Sequence, residues 1–123
     1  MGPERISDAE HAVMEVLWRR APRTATEVAD ELAETRNWSL QTVKTLLSRL
    51  ANKGAVSHDQ SGRRYLYRPI LIREDYVDEE SKRLVDRLFG GRAAPLFAHL
   101  AERDHFSEED LAEIERLVKE LRS

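Results

Sequence analysis

The stretch WSLQTVKTLLSRLANKG, Trp38 to Gly54, decides how this chain is read. Val43, Leu46, Leu47 and Leu50 recur at helical spacing and form one apolar stripe. Ser39 stands where a hydroxyl can accept from a free backbone N–H and start a helix. Gly54 suits the left-handed conformation that ends one. The other faces carry Gln41, Thr42, Lys44, Thr45, Ser48, Arg49, Asn52 and Lys53. Every one of these can donate a hydrogen bond and none is an acid. The chain as a whole is acidic, with a net charge of −3, so an acid-free helix face calls for a physical reason.

The charge distribution supplies one. From Thr35 to Arg73 there are eight basic residues and one acid, Asp59, a balance of +7. From Tyr76 to Ser123 there are 12 acids and 8 bases, a balance of −4. Such a division points to a polyanionic partner for the basic segment. The 123 residues, 35% of them charged and 41% hydrophobic, have a globular composition and fit one domain or two small ones. The absence of cysteine excludes disulfides and thiolate metal sites and fits a reducing compartment. No apolar run approaches the ~20 residues of a membrane span. The opening MGPERISDAE lacks the apolar core of a secretory signal, and a cytoplasmic protein is expected.

Around the central helix the order of elements is regular. Ser7 with Glu10, and Thr24 with Glu27, have the spacing of capping boxes. They predict a first helix over Asp8–Arg19, broken by Pro22, and a second of about ten residues ending before TRNW. After Gly54 the period changes. AVSHD and RYLYRP read as two short strands around a QSG turn, a β-hairpin with Arg63 and Arg64 at its tip, closed by Pro69. Further helices are expected over REDYVDEESKRLVDRLF, stopped by Gly90 and Gly91, over APLFAHLAER, and from Ser107 onward.

Three helices followed by a basic hairpin form a winged helix-turn-helix pattern. The expected fold is mainly α with a small β wing, divided into a DNA-binding domain over residues 1–73 and a helical dimerisation domain over 74–123. The third helix fits the major groove with its N-terminal residues nearest the bases. Gln41 suits adenine, Lys44 or Arg49 suits guanine, and Thr42, Thr45 and Ser48 can reach bases or phosphates. Arg63, Arg64 and the flanking Lys53 suit the backbone or minor groove. A carboxylate on that face would be driven against phosphate charge, which accounts for its lack of acids.

The motifs ISDAEHAVMEVLW, TVKTLLSRLANKGAV, RRYLYRP and FGG…PLFAHL together resemble the BlaI/MecI/CopY, or penicillinase, repressors over about Ile6 to Leu121. The resemblance implies a winged-helix DNA-binding domain, a C-terminal dimerisation domain and a palindromic operator. It also implies repression relieved by proteolysis, triggered in the antibiotic-resistance members by a membrane-bound sensor with a metallopeptidase domain. The family's recognition-helix contacts fall on Thr42, Lys44, Thr45, Ser48 and Arg49, and its wing on Gly62, Arg63 and Arg64. The Asn–Phe bond cleaved in those members corresponds here to His99–Leu100, a departure from the pattern. The cysteine cluster of the copper-responsive branch is absent. His11 stands where many members carry Trp, with little expected consequence.

The C-terminal stripes, Leu84, Leu88, Phe89, Leu96, Leu100, Leu111, Ile114, Leu117 and Leu121, fit a dimer surface; a bundle closed within one chain is the alternative. No cofactor is expected. An enzyme finds no HExxH, no phosphate-cradling glycine loop and no nucleophile elbow. The acidic clusters Glu79–Glu80 and Glu108–Glu109–Asp110 fit solvated helix faces or helix starts. His99, Glu102, Asp104 and His105 are close enough in sequence to be a zinc site, which leaves a metal- or ligand-responsive regulator without proteolytic induction as the alternative function. A winged helix used only for protein contact is opposed by the +7 segment.

Overall fold

The computed structural model describes residues 5–123; Met1–Glu4, on which part of the N-terminal reading falls, lie outside the described residues. The elements are α1 (Asp8–Arg19), α2 (Ala25–Leu32), α3 (Leu40–Asn52), β1 (Val56–Ser61), β2 (Arg64–Pro69), α4 (Arg73–Phe89), α5 (Ala93–Glu102) and α6 (Glu108–Arg122). They divide into two units, one ending at Tyr76 and one beginning at Val77.

Helix starts follow the side-chain chemistry. In α1 the Glu10 N–H donates to Ser7 Oγ (3.1 Å) while the Ser7 N–H donates to Glu10 Oε1 (2.7 Å). Thr24 and Glu27 repeat the device at α2, and Ser107 and Asp110 at α6. Each box satisfies two otherwise free N–H groups. At α3 the cap is one-sided. The Thr42 N–H donates to Ser39 Oγ (3.1 Å), but the position that is acidic in the other three helices is Thr42 itself. Helix α2 is shorter than expected and stops at Leu32.

The core of the first unit is built from Val13, Met14, Val16 and Leu17 of α1, Val28 and Leu32 of α2, and Val43, Leu46, Leu47 and Leu50 of α3. Ile6, Ala25, Ala55 and Val56 complete it. Strands β1 and β2 pair antiparallel from Val56 with Pro69 to Ser61 with Arg64. Gln60 and Ser61 therefore lie in β1, and the turn is Gly62–Arg63 rather than QSG. Gly62 has φ +65°, as the first residue of a tight two-residue hairpin loop of this kind requires.

One pairing had no counterpart in the sequence reading. Arg23 and Tyr67 exchange backbone hydrogen bonds, Arg23 N–H to Tyr67 O (3.2 Å) and Tyr67 N–H to Arg23 O (2.8 Å). This bridge ties the residue before the α2 cap to the middle of β2. The buried Arg23 guanidinium donates to Glu31 Oε1 (2.6 Å) and to the Arg20 carbonyl (2.8 Å).

The start of α4 belongs to the first unit. The Trp18 indole N–H donates to the Leu71 carbonyl (2.8 Å), and Arg73 pairs with Glu15 (2.8 Å). Tyr76 stacks on His11, with ring centroids 5.0 Å apart and planes 22° apart. These contacts move the division of the chain from the expected Arg73 to Tyr76. In them His11 forms one face of the stack that holds Tyr76.

The second unit comprises the rest of α4 with α5 and α6. None of its side chains is fully buried. Phe89, Leu96, Leu100 and Ile114 are half-buried, whereas Leu84, Leu88, Leu111, Leu117 and Leu121 are exposed. A bundle closed on itself would have buried the latter group.

Four carboxylates of the first unit sit below the usual carboxylate range. Hydrogen bonds from Arg19 and then Arg23 lower Glu31. The hydrogen bond from Arg73 lowers Glu15, against its own burial. The Thr24 backbone and side chain lower Glu27. Burial is the largest single influence on Glu10 and pushes upward, but Lys53 and Ser7 together outweigh it. Groups of this sign favour the folded state fully above their unfolded pKa and lose that contribution as pH falls through the folded one. The urea midpoint is therefore expected to be flat from neutrality to about pH 5 and to drop below about pH 4.3, the free glutamate value. A midpoint that rises on acidification would contradict these assignments.

Candidate nucleic-acid interface

Because Val43, Leu46, Leu47 and Leu50 face inward, the roll of α3 about its axis is set. Gln41, Thr42, Lys44, Thr45, Ser48 and Arg49 are all exposed. Among the described residues, neither Lys44 nor Arg49 has an acidic partner. The hydroxyls are locally engaged: Thr45 Oγ1 donates back to the Gln41 carbonyl (3.0 Å), and Thr42 Oγ1 lies 3.0 Å from Ser39 Oγ. Each keeps lone-pair capacity toward an incoming donor. The first turn of α3 has no acid, so the positive end of its dipole is left uncompensated by side chains.

The hairpin stands beside this face. Thr24, Ala25 and Thr26 at the start of α2, Lys44 of α3, and Arg63, Arg64, Tyr65 and Tyr67 of the hairpin line one open cleft of about 350 Å³. Lys44 thus shares a concave surface with the hairpin tip, and Arg63 and Arg64 also lack an acidic partner among the described residues. The only acid of the basic segment is accounted for, since Asp59 pairs with Arg68 across the hairpin (3.5 Å). Desolvation by burial and the neighbouring Tyr65 raise the Tyr67 pKa, so its phenol stays neutral in the cleft.

Lys53, expected as a flanking contact, is engaged within the protein: its ammonium donates to Glu10 Oε1 (2.7 Å) and to the Arg5 carbonyl (3.0 Å). Its partner is 43 residues away in sequence, so no local signal marks it. The zinc candidate fails on geometry. Among the described residues no three of His, Asp and Glu gather into a set able to hold a metal ion, so His99, Glu102, Asp104 and His105 do not form one. Residues that the sequence reading missed are Thr26 and Tyr65, which line the cleft. In the turn before α3 the Arg36 guanidinium lies 5.1 Å from the Trp38 ring centre.

A winged helix with this charge placement has direct relatives. The penicillinase repressor family model matches residues 6–120. The chain belongs to the penicillinase repressor family. It is 34% identical over 116 residues to the penicillinase repressor of Bacillus licheniformis, covering 94% of this chain and 91% of that one. Its fold is similar to that of the monomeric form of Bacillus licheniformis BlaI solved in complex with the blaP half-operator, with 42% identity, a TM-score of 0.52, and coverage of 59% of this chain and 89% of the other. Escherichia coli MarR in its apo form shares the fold over 94% of this chain and 77% of its own, with a TM-score of 0.55 at 20% identity. Penicillinase repressors are transcriptional regulators and not enzymes. Among the described residues no helix is long and apolar enough to cross a membrane.

For this member, Arg49→Ala is expected to weaken binding to its specific duplex by about 1–3 kcal/mol at fixed salt, as loss of a guanine contact does. An unchanged dissociation constant would show that the outward face of α3 is turned away from the bases. Arg63→Ala is expected to weaken all sequences alike and to lower the salt slope by about one. A loss confined to one base position would contradict a phosphate contact.

Proposed function

We propose that this protein is a transcriptional repressor that binds a palindromic operator as a homodimer and is released by cleavage in its second unit. One observation carries the DNA reading. The outward face of α3 holds Lys44 and Arg49 with no acid beside them, and the cations of the hairpin tip line the same cleft as Lys44. In this reading α3 enters the major groove, where Gln41, Lys44 and Arg49 address bases. Thr42, Thr45 and Ser48 serve bases or nearby phosphates, and Arg63 and Arg64 hold the backbone. Neutralising phosphates releases counterions and makes affinity fall steeply with salt.

The second unit supports the homodimer. It keeps Leu84, Leu88, Leu111, Leu117 and Leu121 exposed, and a second copy related by a two-fold axis would cover them. Two reading heads in register double the phosphate contacts and set a two-fold-symmetric site. The solved complex of BlaI with a half-operator accords with a site made of two such halves.

Release by proteolysis, which the family resemblance implies, is compatible with the same division, since cutting the second unit would uncouple the heads without altering α3. The matched bond, His99–Leu100, lies inside α5. The His99 carbonyl accepts from the Arg103 N–H (3.2 Å), and the Leu100 carbonyl from the His105 N–H (2.9 Å). The end of α5 must therefore open before a protease can hold this bond extended. In this reading the trigger is a membrane-bound sensor metallopeptidase system, with the repressor itself in the cytoplasm. His–Leu in place of the family's Asn–Phe favours a second reading, in which a small ligand rather than cleavage releases the operator.

Selection of bound genomic fragments is expected to return a two-fold-symmetric site with half-site centres about one helical turn, or a multiple of it, apart; a set with no symmetry would contradict the dimer. Truncation after Gly91 is expected to leave a folded monomer that binds weakly. An intact dimer of the truncated chain by sedimentation would place the interface elsewhere.

A further inference from the structure

We propose that Glu10 and Lys53 form a clamp that sets the position of α3 for base reading, so that Lys53 is a positioning residue and not a phosphate contact. The proposal rests on the DNA-binding reading given above. Lys53 is the cap residue at the end of α3, one turn beyond Arg49. Its ammonium lies 2.7 Å from Glu10 Oε1 and 3.0 Å from the Arg5 carbonyl. The same Glu10 oxygen accepts from the Ser7 N–H at 2.7 Å. One atom therefore joins the cap of α1, the first turn of α1 and the last turn of α3.

Glu10 is 1% exposed, and its second oxygen, Oε2, is buried with no hydrogen-bond partner among the described residues. A carboxylate so desolvated stays charged only beside a cation, and Lys53 is the cation that reaches it. The pair also places a positive charge at the C-terminal end of the α3 dipole. Apolar packing alone is non-directional. The buried stripe sets the roll of α3, and the Lys53 ammonium, held at once by the Glu10 carboxylate and the Arg5 carbonyl, adds a directional restraint at the helix end. A slide by one residue is about 1.5 Å, enough to break a bidentate contact with a base edge. Phosphate contacts are sequence-independent and made by long flexible side chains, so they tolerate such a shift.

The charge arithmetic separates the two roles. Glu10→Gln removes a negative charge and frees Lys53. A Lys53 that contacted phosphate would then bind every duplex at least as tightly as before. A clamp predicts the opposite for the specific site alone. Full-length Glu10→Gln, Lys53→Met, Lys53→Arg and the Glu10→Gln/Lys53→Met double variant are to be compared on the selected symmetric duplex and on a scrambled duplex across a salt series.

The expected result for Glu10→Gln and for Lys53→Met is about tenfold weaker binding to the symmetric duplex, with scrambled-duplex affinity and salt slope unchanged. Lys53→Arg, which keeps a cation within reach of Glu10, is expected to restore discrimination. The double variant leaves no unpaired buried charge, so it keeps the fold where a single variant loses it, and it is expected to show the same loss of discrimination. A merely structural pair would lower the thermal midpoint and leave the ratio of specific to scrambled affinity unmoved, which would overturn the proposal. A Lys53→Met variant weakened on both duplexes, with a salt slope lower by about one, or a Glu10→Gln variant tightened on both, would overturn it as well. Wild-type protein that binds neither duplex at low salt would instead overturn the repressor reading itself, and the clamp with it.

Discussion

The structure depends on the burial of one face of α3. Val43, Leu46, Leu47 and Leu50 close the core against α1 and α2. Each fully buried aliphatic side chain contributes about 1.5–3 kcal/mol relative to exposure, so turning the helix would forfeit several such contributions at once. The inward face leaves no freedom for the outward one. Gln41, Lys44, Thr45, Ser48 and Arg49 are presented to solvent because the stripe between them cannot be. The recognition surface is thus the complement of a packing constraint.

Electrostatics then refines what packing has placed. Three other helices of this chain begin with a reciprocal acid in the capping box; α3 has Thr42 at that position and gives up one of the two capping hydrogen bonds. The local loss fits a helix whose N-terminal end approaches phosphates, where a carboxylate would cost more than the cap contributes. Four acids elsewhere in the first unit are occupied by cations: Glu10 by Lys53, Glu15 by Arg73, Glu31 by Arg19 and Arg23, and Asp59 by Arg68. The cations left without such partners among the described residues include Lys44, Arg49, Arg63 and Arg64.

What the sequence made legible was local. Capping boxes, the α3 stripe, the stop at Gly54 and the change of period into the hairpin each lie within one short window, and the helices and strands appear close to where those windows place them. What it concealed was non-local. The Arg23–Tyr67 bridge joins residues far apart in the chain, and neither residue has a local pattern that marks it. Lys53 looks like any exposed lysine until Glu10 is brought to it. Tyr76 reads as one more position of α4, but its stack on His11 assigns it to the first unit. The hairpin turn moved by a small step because QSG and Gly62–Arg63 are both good turn chemistry, and only the register decides between them. In the second unit the apolar stripes were visible in sequence, but that they stay open within one chain was not.

The central claim is that the outward face of α3 lies in the groove of bound DNA. Because the chain contains no cysteine, a single Thr45→Cys substitution can carry an iron chelate that cleaves DNA where it sits. On the selected duplex the account predicts strand scission confined to two clusters related by the two-fold axis of the site. Uniform scission along the duplex from position 45, or none, would contradict it.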